Sequence, residues 1–136
     1  MEFKDFIKYK VVRIASKDEV LTKSLLKTSK KDIEFLNSLK LNESSSRRLM
    51  SNYYDVLRSV IEAMSSLKGY KIYSHKAFTY FLKEIGEDLI SIKFERFRKI
   101  RNKINYYGKE ISIKETRENI KEIKNIIKYL IKKYLK

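Results

Sequence analysis

Apolar residues recur along this chain at intervals of three and four positions, which is the repeat of a helix with one buried side. A first stripe of this kind spans residues 21–39, with lysines on the opposite side. Between Met50 and Leu67 the apolar face is so wide that we expect it to be buried on two sides. The pattern predicts a chain that is mostly helical.

The second half of the chain predicts three more helices. One carries apolar residues from Ala77 to Ile85, and the next runs from about residue 88 to about residue 106. In the last helix, isoleucine or tyrosine recurs every seven residues, at positions 113, 120, 127 and 134, so we expect one seam to pack into the core. The first fifteen residues form either a short extra helix or, at residues 10–14, an extended segment.

Short motifs mark where these helices begin and end. Residues 16–19 and 112–115 each place a serine three positions before a glutamate, as in a capping box, and Ser74 is suited to cap the helix that follows it. Gly69, Gly86 and Gly108 stand where helices should end, and the polar residues 42–46 predict a loop. We therefore predict a single all-α domain over residues 1–136. Its architecture is an antiparallel up-and-down bundle of four to five helices, with residues 1–15 as an optional extra helix.

The composition excludes several kinds of catalytic, disulfide and metal site. The 136 residues include no cysteine and a single histidine, His75. A thiol nucleophile, a disulfide framework and a zinc site of Cys/His type are therefore excluded. We expect no bound metal and no cofactor, and a chain of this length can bury enough surface to fold without either.

The charge of the chain indicates its class of partner. It carries 32 basic and 17 acidic residues, a net charge of +15, and residues 92–136 alone hold 15 basic and 5 acidic residues. Such an excess attracts polyanions, so nucleic acid or an anionic membrane surface is the expected class of partner. There is no run of about 18 apolar residues and no signal-peptide core at the start, so we expect a cytoplasmic protein that does not enter a membrane.

One residue of the helix before Gly108 does not fit a packing pattern. Phe94, Phe97 and Ile104 form the inward stripe of that helix. Arg101 follows Phe94 by seven residues, within about 20° of the same azimuth. An arginine keeps its proton, so in the core it must meet an anion, a carbonyl group or water. The alternative is an arginine whose aliphatic part covers apolar surface while its charge pairs with a carboxylate elsewhere in the chain.

Basic and aromatic side chains alternate along the same helix. Cations that neutralise phosphates and flat rings that stack on bases are the two ingredients of single-strand binding. We expect Phe94 and Phe97 to lie in the core, which leaves Tyr106 and Tyr107 to contact a ligand. The candidate phosphate-binding residues are Arg96, Arg98, Lys99, Arg101, Lys103 and Lys109.

The end of this helix resembles the signature of the HEPN family (higher eukaryotes and prokaryotes nucleotide-binding). In that signature an arginine and usually a polar residue such as asparagine come first, and a histidine follows after four to six intervening positions. The residues here are Arg101-Asn102-Lys103-Ile104-Asn105-Tyr106-Tyr107. Tyr53-Tyr54 with residues 63–70, and residues 74–77, are similar to the second helix of the family and the start of its third. The resemblance covers about residues 18–134.

The resemblance implies a four- or five-helix bundle that forms a homodimer, with Arg and His of both subunits lining one cleft. Many members of the family are metal-independent ribonucleases of toxin–antitoxin and defence systems, and some pair with a small nucleotidyltransferase. By position, Arg101 would contact a phosphate and Asn102 would orient the phosphate or the backbone. A dimer would also satisfy an arginine that a monomer satisfies only with difficulty.

This chain departs from the signature at the histidine, whose position falls on Tyr106, Tyr107 or Gly108. Metal-free RNA cleavage needs a group that accepts the proton of the 2′-hydroxyl. A tyrosine, with a pKa near 10, is only about one part in a thousand ionised at pH 7. We expect His75, which follows a predicted N-cap, to make a local structural contact rather than to replace the missing histidine.

Three functions follow from these observations. The first is a HEPN-like homodimer that binds RNA or a nucleotide through a basic cleft centred on Arg101, with weak or no cleavage. The second is an active metal-independent endoribonuclease that uses Arg101 and Asn102 with Tyr106 or Tyr107. The third is a non-catalytic partner of a nucleotidyltransferase or of another helical protein. A role for the last helix on an anionic membrane is less favoured, because its isoleucine seam is better used in the core.

Overall fold

A computed structural model of the chain describes residues 1–136. Six helices and two short strands follow one another in the order α1 (Phe3–Lys8), β1 (Val12–Ile14), α2 (Glu19–Ser38), α3 (Ser46–Leu67), β2 (Tyr70–Ile72), α4 (His75–Glu84), α5 (Asp88–Tyr107) and α6 (Ile113–Tyr134). The helical fold predicted from the sequence is confirmed, and each of the five longer helices lies within a few residues of its expected position.

The N-terminal residues contain both of the alternatives that the sequence left open, since the helix α1 is followed by the strand β1. β1 pairs antiparallel with β2, with Val12 opposite Ile72. Gly69 allows this pairing, because its φ of +87° is a conformation that other residues avoid. Its carbonyl accepts a hydrogen bond from Ala15 at 2.7 Å, and a Cβ at Gly69 would meet the carbonyl oxygen of Ala15 at 2.8 Å. The sheet was not predicted, because strands of three residues leave no periodic pattern.

α3 is the centre of the fold. It packs against α2, α4, α5 and α6 and against β2. Residues on nearly every side of it are buried, which confirms that its wide apolar face is covered by more than one neighbour. The largest fully buried side chains of this helix are Met50, Tyr54, Leu57, Ile61 and Met64. Any polar group in the middle of α3 therefore depends on a neighbouring helix for its partner.

Two contacts set the direction of α5 along α3. Near the start of α3, the hydroxyl of Ser51 donates a hydrogen bond to the side-chain oxygen of Asn105 at 3.1 Å. One turn further on, Asp55 lies 3.7 Å from Arg101. The order of the two pairs is opposite in the two helices, so α5 runs antiparallel to α3 and places Arg101 beside the middle of it.

α6 runs parallel to α3, because Ser46 contacts Thr116 at 2.6 Å and the ammonium group of Lys124 stands 5.4 Å from the ring centre of Tyr53. Its apolar seam packs into the core as predicted. The buried apolar residues of this seam are Ile123, Ile126, Ile127 and Leu130. No helix of the structure combines the length and the apolar character needed to cross a bilayer.

α4 begins beside the middle of α3 because β2 first carries the chain back along that helix. His75, in the first turn of α4, contacts Tyr54. Further along both helices, Met64 of α3 and Phe81 of α4 line the same cavity. α3 and α4 therefore run in the same direction. This departs from the strict up-and-down order predicted from the sequence, and the cause is the unforeseen strand between the two helices.

The N-cap of α2 also differs from the prediction. The cap is Asp18, whose carboxylate accepts a hydrogen bond from the backbone N–H of Leu21 at 2.9 Å, and Ser16 makes no such bond. The hydroxyl of Ser66 holds Asp18 in place by donating to its carbonyl at 3.2 Å. α6, by contrast, begins as predicted, with the hydroxyl of Ser112 accepting from the backbone N–H three residues later.

We expect Asp18→Ala to lower the free energy of unfolding by about 1 kcal/mol, because the first turn of α2 loses the acceptor for a free N–H. Ser16→Ala is the matched control, and its effect should stay within about 0.5 kcal/mol. Urea unfolding followed by circular dichroism measures both. A larger loss for Ser16→Ala than for Asp18→Ala would contradict the assignment of the cap.

Candidate functional site

Arg101 lies between α5 and α3 with 18% of its side chain exposed. Its guanidinium carbon is 5.8 Å from the ring centre of Tyr54, and one of its terminal nitrogens is 3.7 Å from the carboxylate of Asp55. The guanidinium makes no hydrogen bond within the chain, and its Nε is buried without a partner. Arg101 therefore keeps its N–H donors free in a place where water has little access.

Tyr54 joins Arg101 to the only histidine of the chain. The tyrosine is fully buried. Its ring stacks on Phe94 at 5.3 Å and on His75 at 5.8 Å between ring centres. Its hydroxyl lies 2.9 Å from Nδ1 of His75. Phe94 and Phe97 are both in the core, as the sequence predicted.

The hydrogen bond between Tyr54 and His75 sets the protonation of the imidazole. Burial raises the pKa of Tyr54 more strongly than the nearby arginine charges lower it, so the hydroxyl is protonated at neutral pH. Nδ1 of His75 is the one hydrogen-bond partner that this hydroxyl has. Tyr54 therefore donates to Nδ1, and we assign the proton of the neutral imidazole to Nε2. Nε2–H is then a donor without a partner in the chain.

Three arginines surround this pair, Arg98 and Arg101 on α5 and Arg58 on α3. Arg98 is held by Glu95 through two hydrogen bonds, at 2.6 Å and 3.0 Å. Arg58 comes only to 3.6 Å from a carboxylate of its own helix, which is longer than a normal hydrogen bond. We call Arg58, Arg98, Arg101, Tyr54 and His75 the arginine cluster, and Arg101 is its least satisfied member.

The arginine cluster changes the titration of its neighbours. Burial lowers the pKa of His75, and the charges of Arg58, Arg101 and Arg98 lower it further, to about 4. The imidazole is therefore uncharged at neutral pH. Burial also raises the pKa of Asp55, although the positive charges of Arg101 and Arg58 oppose the change.

The arginine cluster is better suited to bind an anion than to move protons. The planar fork of a guanidinium matches the oxygens of a phosphate. His75 adds the Nε2–H donor, but in this protonation state it has no free lone pair to accept the proton of a 2′-hydroxyl. No three His, Asp or Glu side chains converge in the structure to hold a metal ion.

The structure separates most of the other predicted phosphate-binding residues from Arg101. Only Arg98 belongs to the arginine cluster. A cavity of about 480 Å³ between α4 and α5 is lined by three others, Arg96, Lys99 and Lys103. Of these three, Arg96 is already paired, because its guanidinium lies 3.0 Å from the carboxylate of Glu122 in α6. Lys109 is exposed beyond the end of α5.

The remaining predicted site residues lie at the C-terminal end of α5. Asn102 is half-buried and makes no side-chain hydrogen bond, whereas Tyr106 and Tyr107 are 70% and 76% exposed. At 3.6 residues per turn, the two tyrosines point about 140° and about 120° away from Arg101, so both lie on the side of the helix that faces away from it. Within one chain they do not meet the arginine cluster.

Three residues of this site were not predicted from the sequence. His75 was expected to make a local contact, but its hydrogen bond is with Tyr54 of α3 and places it in the same cluster as Arg101. Arg58 was not singled out, although it follows Tyr54 by four residues and so shares a face of α3 with it. Asp55 was not singled out either, because no motif or spacing in the sequence distinguishes it.

Comparison with protein-family models, with curated proteins and with solved structures gives no match for this chain. What the protein does must therefore be inferred from the arginine cluster, from the charge of the chain and from the motif around Arg101.

We expect the imidazole of His75 to titrate near pH 4 rather than near 6.5, because burial and three arginine charges oppose its protonation. The unfolded chain then binds more protons than the folded chain between these two pH values. The free energy of unfolding should therefore fall as the pH is lowered from about 6.5 towards 4. NMR of the imidazole signals measures the pKa, and urea unfolding across this range measures the stability.

His75→Gln is the control for this titration. It removes the ionisable group, so the part of the pH dependence that belongs to His75 should disappear while other acidic groups still titrate. An imidazole that titrates at its ordinary pKa in the wild-type protein would contradict the assigned environment.

Proposed function

We propose that this protein is a HEPN-like homodimer that binds RNA through the arginine cluster, with weak or no cleavage. The observation that carries the proposal is the state of Arg101. Its guanidinium is mostly buried, charged at every accessible pH, and without a hydrogen bond to any acceptor of the chain. A phosphate of RNA would supply the missing charge and the missing acceptors together.

The carboxylate that now faces Arg101 is easily replaced. Asp55 lies 3.7 Å away without a hydrogen bond to Arg101, and its own side chain is 42% exposed, so the pair holds Asp55 only weakly. Hydrogen bonds from a guanidinium to phosphate are shorter and about twice as strong as neutral ones. Exchange of Asp55 for a phosphate is therefore favourable for Arg101.

The charge of the whole chain favours a polyanion over a single phosphate. The net charge of +15 is concentrated in residues 92–136, which include most of α5 and all of α6. Lys99 and Lys103 in the neighbouring cavity can neutralise further phosphates, and the exposed rings of Tyr106 and Tyr107 offer stacking faces. A nucleotide would use the arginine cluster alone, whereas an RNA strand would use all of these residues.

Weak or absent cleavage follows from the protonation of the candidate base. The lone pair of His75 Nδ1 is occupied by the hydroxyl of Tyr54, and Nε2 carries the proton. Tyr106 and Tyr107, which occupy the expected histidine position, point away from Arg101 within one chain. Neither the imidazole of His75 nor the two tyrosines is therefore prepared to take a proton from a 2′-hydroxyl.

A metal-independent endoribonuclease is the second candidate, and one observation favours it. Burial is the larger cause of the low pKa of His75 and would remain, but a bound phosphate would offset the arginine charges that lower the pKa further. The pKa would then rise above its value in the free protein, so a larger fraction of His75 would be the imidazolium that can protonate a leaving oxygen.

The homodimer is supported by an apolar residue close to the arginine cluster. Phe35 of α2 is 63% exposed and lines a groove of about 380 Å³ together with Asp55 and Arg58. Large aromatic side chains are enriched in interfaces between subunits. Contact between two copies through Phe35 would bring their arginine clusters to one cleft.

We expect Arg101→Ala to weaken binding of a labelled single-stranded RNA by about tenfold or more, because a charge-assisted hydrogen bond contributes about 1.5–3 kcal/mol. Arg13→Ala is the matched control, since it removes the same charge from an exposed residue of β1. Its effect should be no more than about threefold. Fluorescence anisotropy in chelator, at two salt concentrations, measures both affinities.

Equal losses in the two variants would mean that RNA responds to net charge only and would contradict a site at Arg101. The same samples are run on a denaturing gel. Shortening of the RNA by the wild-type protein that is absent in Arg101→Ala and in His75→Gln would favour the endoribonuclease instead.

We expect light scattering after gel filtration to give the mass of a dimer at micromolar concentration. Phe35→Asp should give a monomer, because a carboxylate at the interface would be buried without a partner. Val20→Asp is the control on the same helix, where Val20 is 81% exposed and distant in sequence from the groove. A monomeric wild-type protein would rule out the shared cleft.

A further inference from the structure

A second groove lies on the side of α3 away from Arg101, between the C-terminal end of α2 and α6. Its volume is about 330 Å³. The floor is apolar and includes Leu36, Leu39, Leu41 and Ile120. Leu39 is 42% exposed there, although it stands beside a core in which Leu36 is 5% exposed. The groove is thus a place where apolar surface is left uncovered by the fold.

Basic residues of α6 form one wall of this groove. They are Arg117, Lys121, Lys124 and Lys128. No carboxylate lines the groove, and none of the four cations forms an ion pair within the chain. Their spacing of four, three and four residues places them in one row along the helix, over about 16 Å. The row is complementary to a partner that carries negative charges at a matching repeat.

We propose that this groove binds an acidic amphipathic helix of another protein. Apolar side chains of that helix, at every third and fourth position, would cover Leu39 and the groove floor. Carboxylates beside them would pair with the cationic row of α6. Recognition of a helix in a groove uses this combination of apolar anchors and a charged rim.

The floor of the groove disfavours RNA as its occupant. Bases stack on exposed aromatic rings. The only ring here belongs to Tyr53, which is 2% exposed, donates its hydroxyl proton to Asn37 at 2.6 Å and is covered by Lys124. The exposed floor is aliphatic, and an aliphatic surface gains most by contact with other aliphatic side chains.

The length of the cationic row disfavours a single-headed amphiphile such as a fatty acid. Such a molecule brings one negative group, which can pair with one or two neighbouring cations only. A helix with acidic residues at each turn brings a negative group every 5.4 Å, which matches the row along its whole length.

The test uses a synthetic helical peptide of about four turns, with leucines on one face and glutamates on both flanks. We expect the wild-type protein to bind it and Lys121→Glu/Lys128→Glu to bind it at least about tenfold more weakly. Lys114→Glu/Lys132→Glu is the matched control, because it reverses two exposed charges of α6 outside the groove. Its affinity should change by no more than about threefold. Fluorescence anisotropy gives the affinities, and heteronuclear NMR should place the shifted signals around Leu39 and Ile120.

Arg101→Ala separates this proposal from the RNA site, since it should bind the peptide as the wild-type protein does. A wild-type protein that does not bind the peptide would overturn the proposal, as would equal weakening in both charge-reversed variants. A peptide with its leucines scattered around the helix must bind more weakly, or the attraction is electrostatic only. If labelled RNA loses affinity in Lys121→Glu/Lys128→Glu while the peptide does not, the groove is a nucleic-acid surface and the proposal is wrong.

Discussion

The buried hydroxyl of Tyr54 is the polar group on which the arrangement of the site depends. Tyr54 sits in the most buried helix of the protein and has no access to water. A buried hydroxyl without a partner costs about 1–3 kcal/mol, and His75 removes that cost from a distance of 2.9 Å. The same bond holds the start of α4 against α3 and sets the proton of the imidazole on Nε2. The guanidinium of Arg101 lies 5.8 Å from the centre of the Tyr54 ring.

Arg101 is tolerated by the fold without being fully satisfied. The ring of Tyr54 and the carboxylate of Asp55 lower the cost of burying its charge, but neither accepts a hydrogen bond from it. The guanidinium of Arg98, a neighbour on the same helix, is already engaged in two hydrogen bonds to Glu95. The contrast between two arginines three residues apart is the reason for assigning the proposed anion site to Arg101, because Arg101 has donors that an anion could still occupy and Arg98 does not.

The sequence predicted the long helices, because each helix is marked by a pattern within its own residues. Each long helix carries its own apolar stripe, and Arg101 was noticed because it interrupts one of these stripes. The pairing of β1 with β2 joins residues that are far apart in the sequence, such as Val12 with Ile72 and Ile14 with Tyr70, so no local pattern records it. The position of His75 beside Tyr54 depends on that pairing, so the contact between the two residues could not be predicted from local sequence either. The N-cap of α2 was misplaced because serine and aspartate cap helices equally well. The position of the cap depends on Ser66 of α3, whose hydroxyl donates a hydrogen bond to the carbonyl of Asp18 and which is far from it in the sequence.

Two adjacent tyrosines of α3 separate the two surfaces of this protein. Tyr53 faces Asn37 and Lys124 at the groove, and Tyr54, about 100° further around the helix, faces His75 and the arginines. The width of a helix with its side chains, about 10 Å, lies between the two surfaces. The two proposed partners would therefore bind on different sides of α3, the most buried helix of the fold.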